Sequence, residues 1–168
     1  MTEKTLFPFV ILIFVALIGP HPAFAQLKPV KQLNVDKYLG VWNEVARFPV
    51  FYQRGCVDSQ AIYERIDQEN LSITNKCTRN GKTTTISGRA INNGIGKFQV
   101  SISRFLPFKA EYWVLWVDDR YQTAVVGVPT GNRGWILSRS KKLTAAHRET
   151  VLRVLTQNGY NPDQLIWN

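Results

Sequence analysis

The feature of this sequence that most restricts its fold is an alternation of apolar and polar residues, broken by turns, that runs from Val41 to Ser138. Alternation with a period of two indicates strands with one buried face. The interruptions have the chemistry of tight turns, as in Arg79-Asn80-Gly81 and Asn92-Asn93-Gly94. The predicted strands, in chain order, are Val41–Arg47, Val57–Arg65, Leu71–Thr78, Thr83–Ile91, Lys97–Ser103, Tyr112–Val117, Thr123–Val128 and Trp135–Ser138.

The short connections between these strands favour an antiparallel, up-and-down order. Eight strands are also enough for a sheet to close into a barrel that holds one small ligand. A single helix is predicted after them, with Thr144 as its N-cap, an apolar stripe of Val151, Leu152 and Leu155, and Gly159 at its C-terminal end. The predicted fold class is therefore all-β: an eight-stranded antiparallel up-and-down β-barrel with a C-terminal α-helix packed outside.

The N-terminus has the pattern of a secretory signal peptide. An apolar run from Leu6 to Ile18 follows Lys4, and Ala23-Phe24-Ala25 places small residues where signal peptidase cleaves. A membrane anchor is the alternative, but the run is short for a bilayer span. We expect residues 1–25 to be removed and residues 26–168 to form one soluble domain that is exported, either periplasmic or secreted. No cysteine lies near the cleavage site, so lipid attachment there is not expected.

The net charge of +9 comes from basic residues scattered along the chain. A nucleic-acid-binding protein usually concentrates such charge on one face or motif, so nucleic acid is not an expected partner. An anionic membrane surface or anionic lipid headgroups fit the charge better. Solubility alone explains it equally well.

The chain contains two cysteines, Cys56 and Cys77. An even number in an exported protein favours a disulfide. Cys56 precedes the second strand and Cys77 closes the third, so an up-and-down barrel brings both to the same end. We therefore expect one disulfide between them.

Residues suited to catalysis are few. His147 is the one histidine beyond the signal peptide, and Glu44 and Glu64 are carboxylates without an evident partner. With both cysteines expected to be oxidised, no nucleophile–histidine arrangement is supported, and metal-ligand spacing is absent. The prediction is a protein that is not an enzyme, with no catalytic residues, no metal and no cofactor.

Strand parity predicts the lining of the barrel. Ser59, Ala61 and Tyr63 share one face of the second strand, and Phe98, Val100 and Ile102 share one face of the fifth. Small residues at 61, 88 and 90 leave room that larger side chains would fill. An apolar cavity is one interpretation, and a filled core is the other.

Parity also brings three separated positions to one end of the barrel. Trp42 begins the first strand, Asp118 follows the sixth, and Arg139 follows the eighth. A guanidinium lying on an indole is a favourable cation–π contact. We expect Gly40 to allow a close approach of the chain, Trp42 to close the barrel and Arg139 to cover it.

These residues match a known family. Gly40-Val41-Trp42, the Val117-Asp118-Asp119 turn followed by Tyr121, and Arg139 resemble the three signature regions of lipocalins, in the bacterial lipocalin and apolipoprotein D-like branch. The resemblance covers residues 34 to 167. The second region departs from the usual threonine–aspartate–tyrosine.

The resemblance implies a ligand pocket and its lining. By comparison with apolipoprotein D, the pocket residues should be Tyr38, Tyr63, Asn75, Ile102, Tyr112, Trp135 and Leu137, with Ala61 supplying room beside them. It also implies a carrier of fatty acids or lysophospholipids in the cell envelope.

The open-end loops carry Phe48-Pro49-Val50-Phe51-Tyr52 and Phe105-Leu106-Pro107-Phe108. Exposed apolar loops tend to mark an interaction surface. We expect them either to contact a membrane or to cover the cavity. An enzyme that acts on a lipid and a module that binds a protein or a second copy of the chain are the alternatives.

Overall fold

One antiparallel sheet forms the body of the protein in a computed structural model that describes residues 27–102 and 109–168. The bounds of its strands are β1 Gly40–Arg47, β2 Asp58–Arg65, β3 Asn70–Arg79, β4 Lys82–Asn92, β5 Lys97–Ser101, β6 Ala110–Val117, β7 Thr123–Gly127, β8 Gly134–Ser138 and β9 Ile166–Trp167. The helices are α1 Val35–Tyr38 and α2 Ala145–Gln157, and 3-10 turns occur at Phe51–Gln53 and Pro162–Gln164.

The sheet closes on itself. Each strand from β2 to β8 pairs with the next, and β1 pairs with both β8 and β2, which completes an eight-stranded barrel. The predicted fold class is therefore confirmed, and the predicted strands differ from the observed ones only at their ends. Ser103, predicted to end the fifth strand, lies outside the described residues, as do residues 1–25 and the loop segment at 105–108.

Two elements were not predicted because each is too short to show a periodicity. Helix α1 has four residues and is capped by Asn34, whose side-chain oxygen accepts from the Lys37 amide at 3.1 Å. Strand β9 has two residues and pairs with β1 at Ala46 and Arg47, beyond the point where β2 stops pairing with β1.

Apolar side chains form one cluster inside the barrel and another outside it. The inner cluster includes Trp42, Tyr63, Phe98 and Val114. The outer cluster lies between the barrel and α2 and includes Val151 and Leu155 of the helix, together with residues of β1, β6, β7 and β8.

Helix α2 has the predicted limits. The Thr144 side chain accepts from the His147 amide, and Gly159 follows the helix with a φ of +78°. No helix in the described residues is long and apolar enough to cross a membrane.

Cys56 and Cys77 form a disulfide, with their α-carbons 5.4 Å apart. The bond ties the loop that follows β1 to β3, at the end of the barrel opposite Trp42. The disulfide predicted from the cysteine count and the strand order is confirmed.

Candidate ligand-binding site

The floor of the barrel is built around Trp42. Its ring is fully buried, and its Nε1 donates to the Tyr38 carbonyl at 2.7 Å. The Arg139 guanidinium carbon lies 3.8 Å from the centroid of the ring, on the solvent side. The structure thus places an arginine on the indole that closes the barrel.

Arg139 also holds the backbone that leads into β1. Its Nη1 donates to the Val41 carbonyl at 2.7 Å, and its Nη2 donates to the Leu39 and Lys37 carbonyls at 2.7 and 2.9 Å. Helix α1 is too short to satisfy its own last carbonyls, so the guanidinium takes the place of the missing amide donors. Burial lowers the pKa of Arg139 from its ordinary, very high value.

Gly40 and Asp118 adapt the backbone to this arginine. Gly40 has a φ of +92°, and a β-carbon there would lie 3.4 Å from Arg139 Nη1. Asp118 accepts from the amides of Gln122 and Thr123, which shapes the turn so that the Tyr121 carbonyl accepts from Arg139 Nε at 3.3 Å. The floor residues Gly40, Trp42, Asp118 and Arg139 therefore form one connected unit.

Above the floor, three tyrosine hydroxyls lie together inside the barrel. Tyr112 Oη is 2.7 Å from both Tyr38 Oη and Tyr63 Oη. Burial raises the pKa of all three phenols, so each keeps its proton at any physiological pH. Tyr38 and Tyr63 are buried, whereas Tyr112 keeps part of its surface accessible.

The wall beyond the tyrosines is apolar and partly uncovered. Ala61, Asn75 and Ile86 pair across β2, β3 and β4, on the row adjacent to Tyr63 and Ile73. Ile86 is 51% exposed although it belongs to the inward row of β4, and Ile102, just past β5, is 47% exposed. The barrel is therefore sealed at the Trp42 end and accessible at the other end.

The structure requires glycine at position 88 for a different reason from the one we predicted. We expected a small residue there to enlarge the cavity. A β-carbon on Gly88 would instead clash with the Ser101 carbonyl oxygen, because the backbone of β5 approaches β4 closely at this point. Glycine is therefore needed here for strand packing rather than for cavity volume.

A buried ion pair lines the opposite wall. Arg47 Nη1 donates to Glu44 Oε1 at 3.0 Å, and both side chains are almost fully buried. Gln53 Nε2 donates to Glu44 Oε2 at 2.7 Å, and Trp135 Nε1 donates to Gln53 Oε1 at 2.9 Å. The expectation that Glu44 has no partner is thus wrong.

The network is closed by the chain terminus and the first loop. Arg47 Nη1 also donates to Asn168 Oδ1 at 2.8 Å, and Arg47 Nη2 donates to the Gln53 and Cys56 carbonyls. Burial raises the pKa of Glu44, an effect that its contacts with Gln53 and Arg47 only partly offset. Since its groups are paired, this network is a structural element of the wall rather than a free binding group.

Ser59 differs from these paired groups. It occupies the inward row of β2, opposite Cys77. Its hydroxyl is the one buried side-chain polar atom without a hydrogen-bond partner in the described part of the chain.

The loop after β1 divides into a buried and an exposed part. Phe48 is buried against Tyr160 on the outside of the barrel, with ring centroids 4.9 Å apart, so it neither covers the cavity nor is exposed to a membrane. Phe51 is 85% exposed and contacts Tyr52 edge to face. An outer groove of about 670 Å³ runs from Phe51 and Arg54 to Trp167.

The residues predicted to line the pocket are distributed along the whole depth of the barrel. Tyr38, Tyr63 and Tyr112 meet at the inner end, and Ala61 is the cross-strand partner of Trp42. Leu137 is buried opposite Glu44, and Trp135 is the partner of Arg47 on β8. Asn75 and Ile102 lie toward the accessible end.

Glu44, Arg47 and Gln53 were missed by sequence reasoning, although all three side chains border the barrel interior. Parity with Trp42 does put Glu44 on the inward face, but a register shift between Glu44 and Ala46 brings Arg47 to the same face against parity, and Gln53 lies in a 3-10 turn where strand parity does not apply.

Comparisons with known proteins agree with this architecture. A family model described as a lipocalin-like domain matches residues 33–168. A putative lipocalin of Acanthamoeba polyphaga mimivirus is 32% identical over 81% of this chain and 84% of its own length. The outer membrane lipoprotein Blc of Escherichia coli K12 is 30% identical over 91% of this chain and 88% of its own length.

Among solved structures, insecticyanin from the tobacco hornworm Manduca sexta superposes with a TM-score of 0.70, covering 84% of this chain and 83% of its own. At 23% identity this likeness concerns the fold.

Proposed function

The chain belongs to the lipocalin family, whose members bind small hydrophobic molecules, and from this premise we propose that it is an exported carrier of fatty acids or lysophospholipids in the cell envelope. The observation that carries the proposal is the asymmetry of the barrel. One end is sealed by Trp42 and Arg139, while Ile86 on the inward row of β4 and Ile102 just past β5 are each about half exposed.

An acyl chain inside this barrel would lie against apolar side chains such as Phe98, Val100 and Leu137. Burial of each methylene contributes about 0.8 kcal/mol in favour of binding. The headgroup would remain near the open end, where Lys109 is exposed. An anionic headgroup there would be attracted by this lysine and by the net charge of +9. Sequestration by apolar burial needs neither a catalytic residue nor a cofactor.

Lipid analysis of the purified protein tests the proposal directly. The protein is extracted with organic solvent and the extract is examined by mass spectrometry for co-purified fatty acids or lysophospholipids. Delipidated protein is then titrated with fatty acids of increasing length while tryptophan fluorescence is followed. Affinity should rise with chain length until the cavity is full. If no lipid co-purifies and no chain length changes fluorescence or thermal stability, the carrier proposal fails.

A pair of variants locates the binding site. Ala61→Trp fills the inner barrel beside Trp42 and should abolish binding of long chains. Ile62→Trp places the same ring on the opposite face of β2 and should leave binding unchanged. Equal losses in both variants would mean that the ligand is not in the barrel.

The exposed rings of the open end favour a second role at a membrane surface. Phe51 and Val57 are largely exposed, and Arg54 lies beside them on the outer groove. We propose that this end touches an anionic bilayer while ligand is exchanged. The enzyme alternative would have gained from a reactive thiol, and both cysteines are instead held in the disulfide.

A further inference from the structure

The three tyrosine hydroxyls inside the barrel have one more O–H donor than there are hydrogen bonds among them. Tyr38, Tyr63 and Tyr112 each carry one O–H donor, and the cluster contains two hydrogen bonds, both to Tyr112 Oη. No other hydrogen bond to these hydroxyls is made within residues 27–102 and 109–168. One donor is therefore left without an acceptor in the described part of the chain.

Burial decides which hydroxyl keeps that free donor. If Tyr112 donated to Tyr38 or to Tyr63, the leftover proton would lie on a ring that is at most 3% exposed. A buried donor without a partner is strongly unfavourable. If Tyr38 and Tyr63 both donate to Tyr112, the leftover proton is on Tyr112, the one ring of the three with accessible surface.

The free donor lies at the inner end of the barrel, above the floor. Tyr112 pairs with Phe98 on β5, its ring is 6.1 Å from that of Tyr63, and Tyr63 is 5.4 Å from Tyr38 above the floor. A ligand that entered the barrel from the open end would meet this group with its leading end. A methyl terminus would leave the donor unpaired, whereas an oxygen acceptor would satisfy it.

We propose that Tyr112 is a specificity-determining residue that donates a hydrogen bond to an uncharged carbonyl oxygen at the leading end of an apolar ligand. An uncharged acceptor is specified because a carboxylate at this depth would lose its hydration, and the described residues offer no free cation there to compensate it. Arg139, the cation near Tyr38, already donates to backbone carbonyls on the far side of Trp42. The inference rests on the proposed function and narrows the preferred ligands to those that carry a carbonyl oxygen at the end opposite the headgroup.

The test uses two ligands of the same shape. One is a long-chain fatty acid with a ketone next to its terminal methyl group, and the other carries a methylidene group in place of the ketone oxygen. The carboxylate keeps both ligands in the same orientation. Their affinities are measured by calorimetry for the wild-type protein and for Tyr112→Phe, Tyr63→Phe and Tyr160→Phe.

The quantity that tests the inference is the ratio of the affinity for the ketone ligand to the affinity for the methylidene ligand. Tyr112→Phe should shift this ratio about fivefold to tenfold against the ketone, since one neutral hydrogen bond is lost. Tyr63→Phe should change both affinities but keep their ratio, because Tyr112 still has a free donor when it accepts from Tyr38 alone. Tyr160→Phe removes a buried hydroxyl outside the barrel and should change neither affinity.

A spectroscopic measurement gives a second readout that needs no unstable variant. The carbonyl stretch of an isotopically labelled ketone should appear at lower frequency in the wild-type and Tyr63→Phe complexes than in an alkane solvent. A band at the alkane position, or an affinity ratio that is the same in Tyr112→Phe as in the wild type, would overturn the inference and leave the carrier function standing. If neither ligand binds the wild-type protein, the carrier function itself fails.

Discussion

The two ends of the barrel differ in how much of their apolar surface is buried. At the closed end, Trp42 is fully buried and Arg139 is held by the carbonyls of α1 and β1. At the open end, Phe51 is 85% exposed and Val57 is 68% exposed. The closed end concentrates contacts that stabilise the fold, whereas the open end leaves apolar surface uncovered, as a site of exchange requires.

The interior shows the same division in its polar groups. The Glu44–Arg47 pair near the open end has its charges matched and its hydrogen bonds made by Gln53 and Asn168. The tyrosine cluster near the floor has one donor to spare. The polar groups of the Glu44–Arg47 network are thus paired within the chain, whereas Ser59 Oγ has no partner among the described residues and, by our inference, the Tyr112 hydroxyl has a donor free for a ligand.

The largest effect should come from the floor. Trp42→Ala removes a fully buried ring and should lower the free energy of unfolding by about 3–5 kcal/mol in urea denaturation. Trp113→Ala, which removes a half-buried ring on the outside of the barrel, is the control and should cost less. Equal losses from the two variants would mean that the floor is no more important than the outer wall.

Loss of the disulfide at the open end should lower the free energy of unfolding nearly as much as Trp42→Ala does at the floor, for a different reason. Replacing both Cys56 and Cys77 by serine should lower the free energy of unfolding by about 3 kcal/mol, because the bond restricts the unfolded chain over a sequence separation of 21. Reduction of the wild-type protein should give the same loss, and the reductant should not affect the double variant. A loss below about 1 kcal/mol would contradict this account.

Arg139→Ala should have an intermediate effect of about 2 kcal/mol, from the lost cation–π contact and the backbone carbonyls left without donors. Arg139→Lys should recover little of it, since one ammonium cannot reproduce the fork that joins Lys37, Leu39 and Val41.

A double-mutant cycle separates the stacking from the hydrogen bonds. The coupling between Trp42 and Arg139 should exceed that between Trp113 and Lys97, whose Nζ lies 4.4 Å from the ring centroid on the outer surface. A coupling near zero at the floor would exclude direct stacking.

The smallest effect on stability should come from Phe51. Phe51→Ser should change the free energy of unfolding by less than about 0.5 kcal/mol, because the ring is exposed. The same variant should weaken binding to vesicles that contain anionic lipid. Phe48→Ser, three residues earlier but buried against Tyr160, should instead destabilise the fold. If Phe51→Ser leaves vesicle binding unchanged, the open end does not contact the bilayer through this ring.

Much of this architecture follows from local patterns in the sequence. Alternation and turn residues determine the strands, and an up-and-down order places Trp42, Asp118 and Arg139 at one end without any knowledge of distances. Parity likewise assigns Tyr63 and Phe98 to the inward face. These conclusions depend on neighbouring residues along the chain, which the sequence displays directly.

The tertiary structure decided what depends on register and closure. A regular strand would put Glu44 and Arg47 on opposite faces, and only the shift between Glu44 and Ala46 brings both inward as an ion pair. Gly88 is needed because β5 approaches β4, which no period along one strand reveals. The tyrosine cluster unites a four-residue helix with two distant strands. Sequence alone therefore determined which face the regular stretches of each strand bury. Register shifts and barrel closure determined which buried groups meet, because those contacts depend on how the strands align across the sheet.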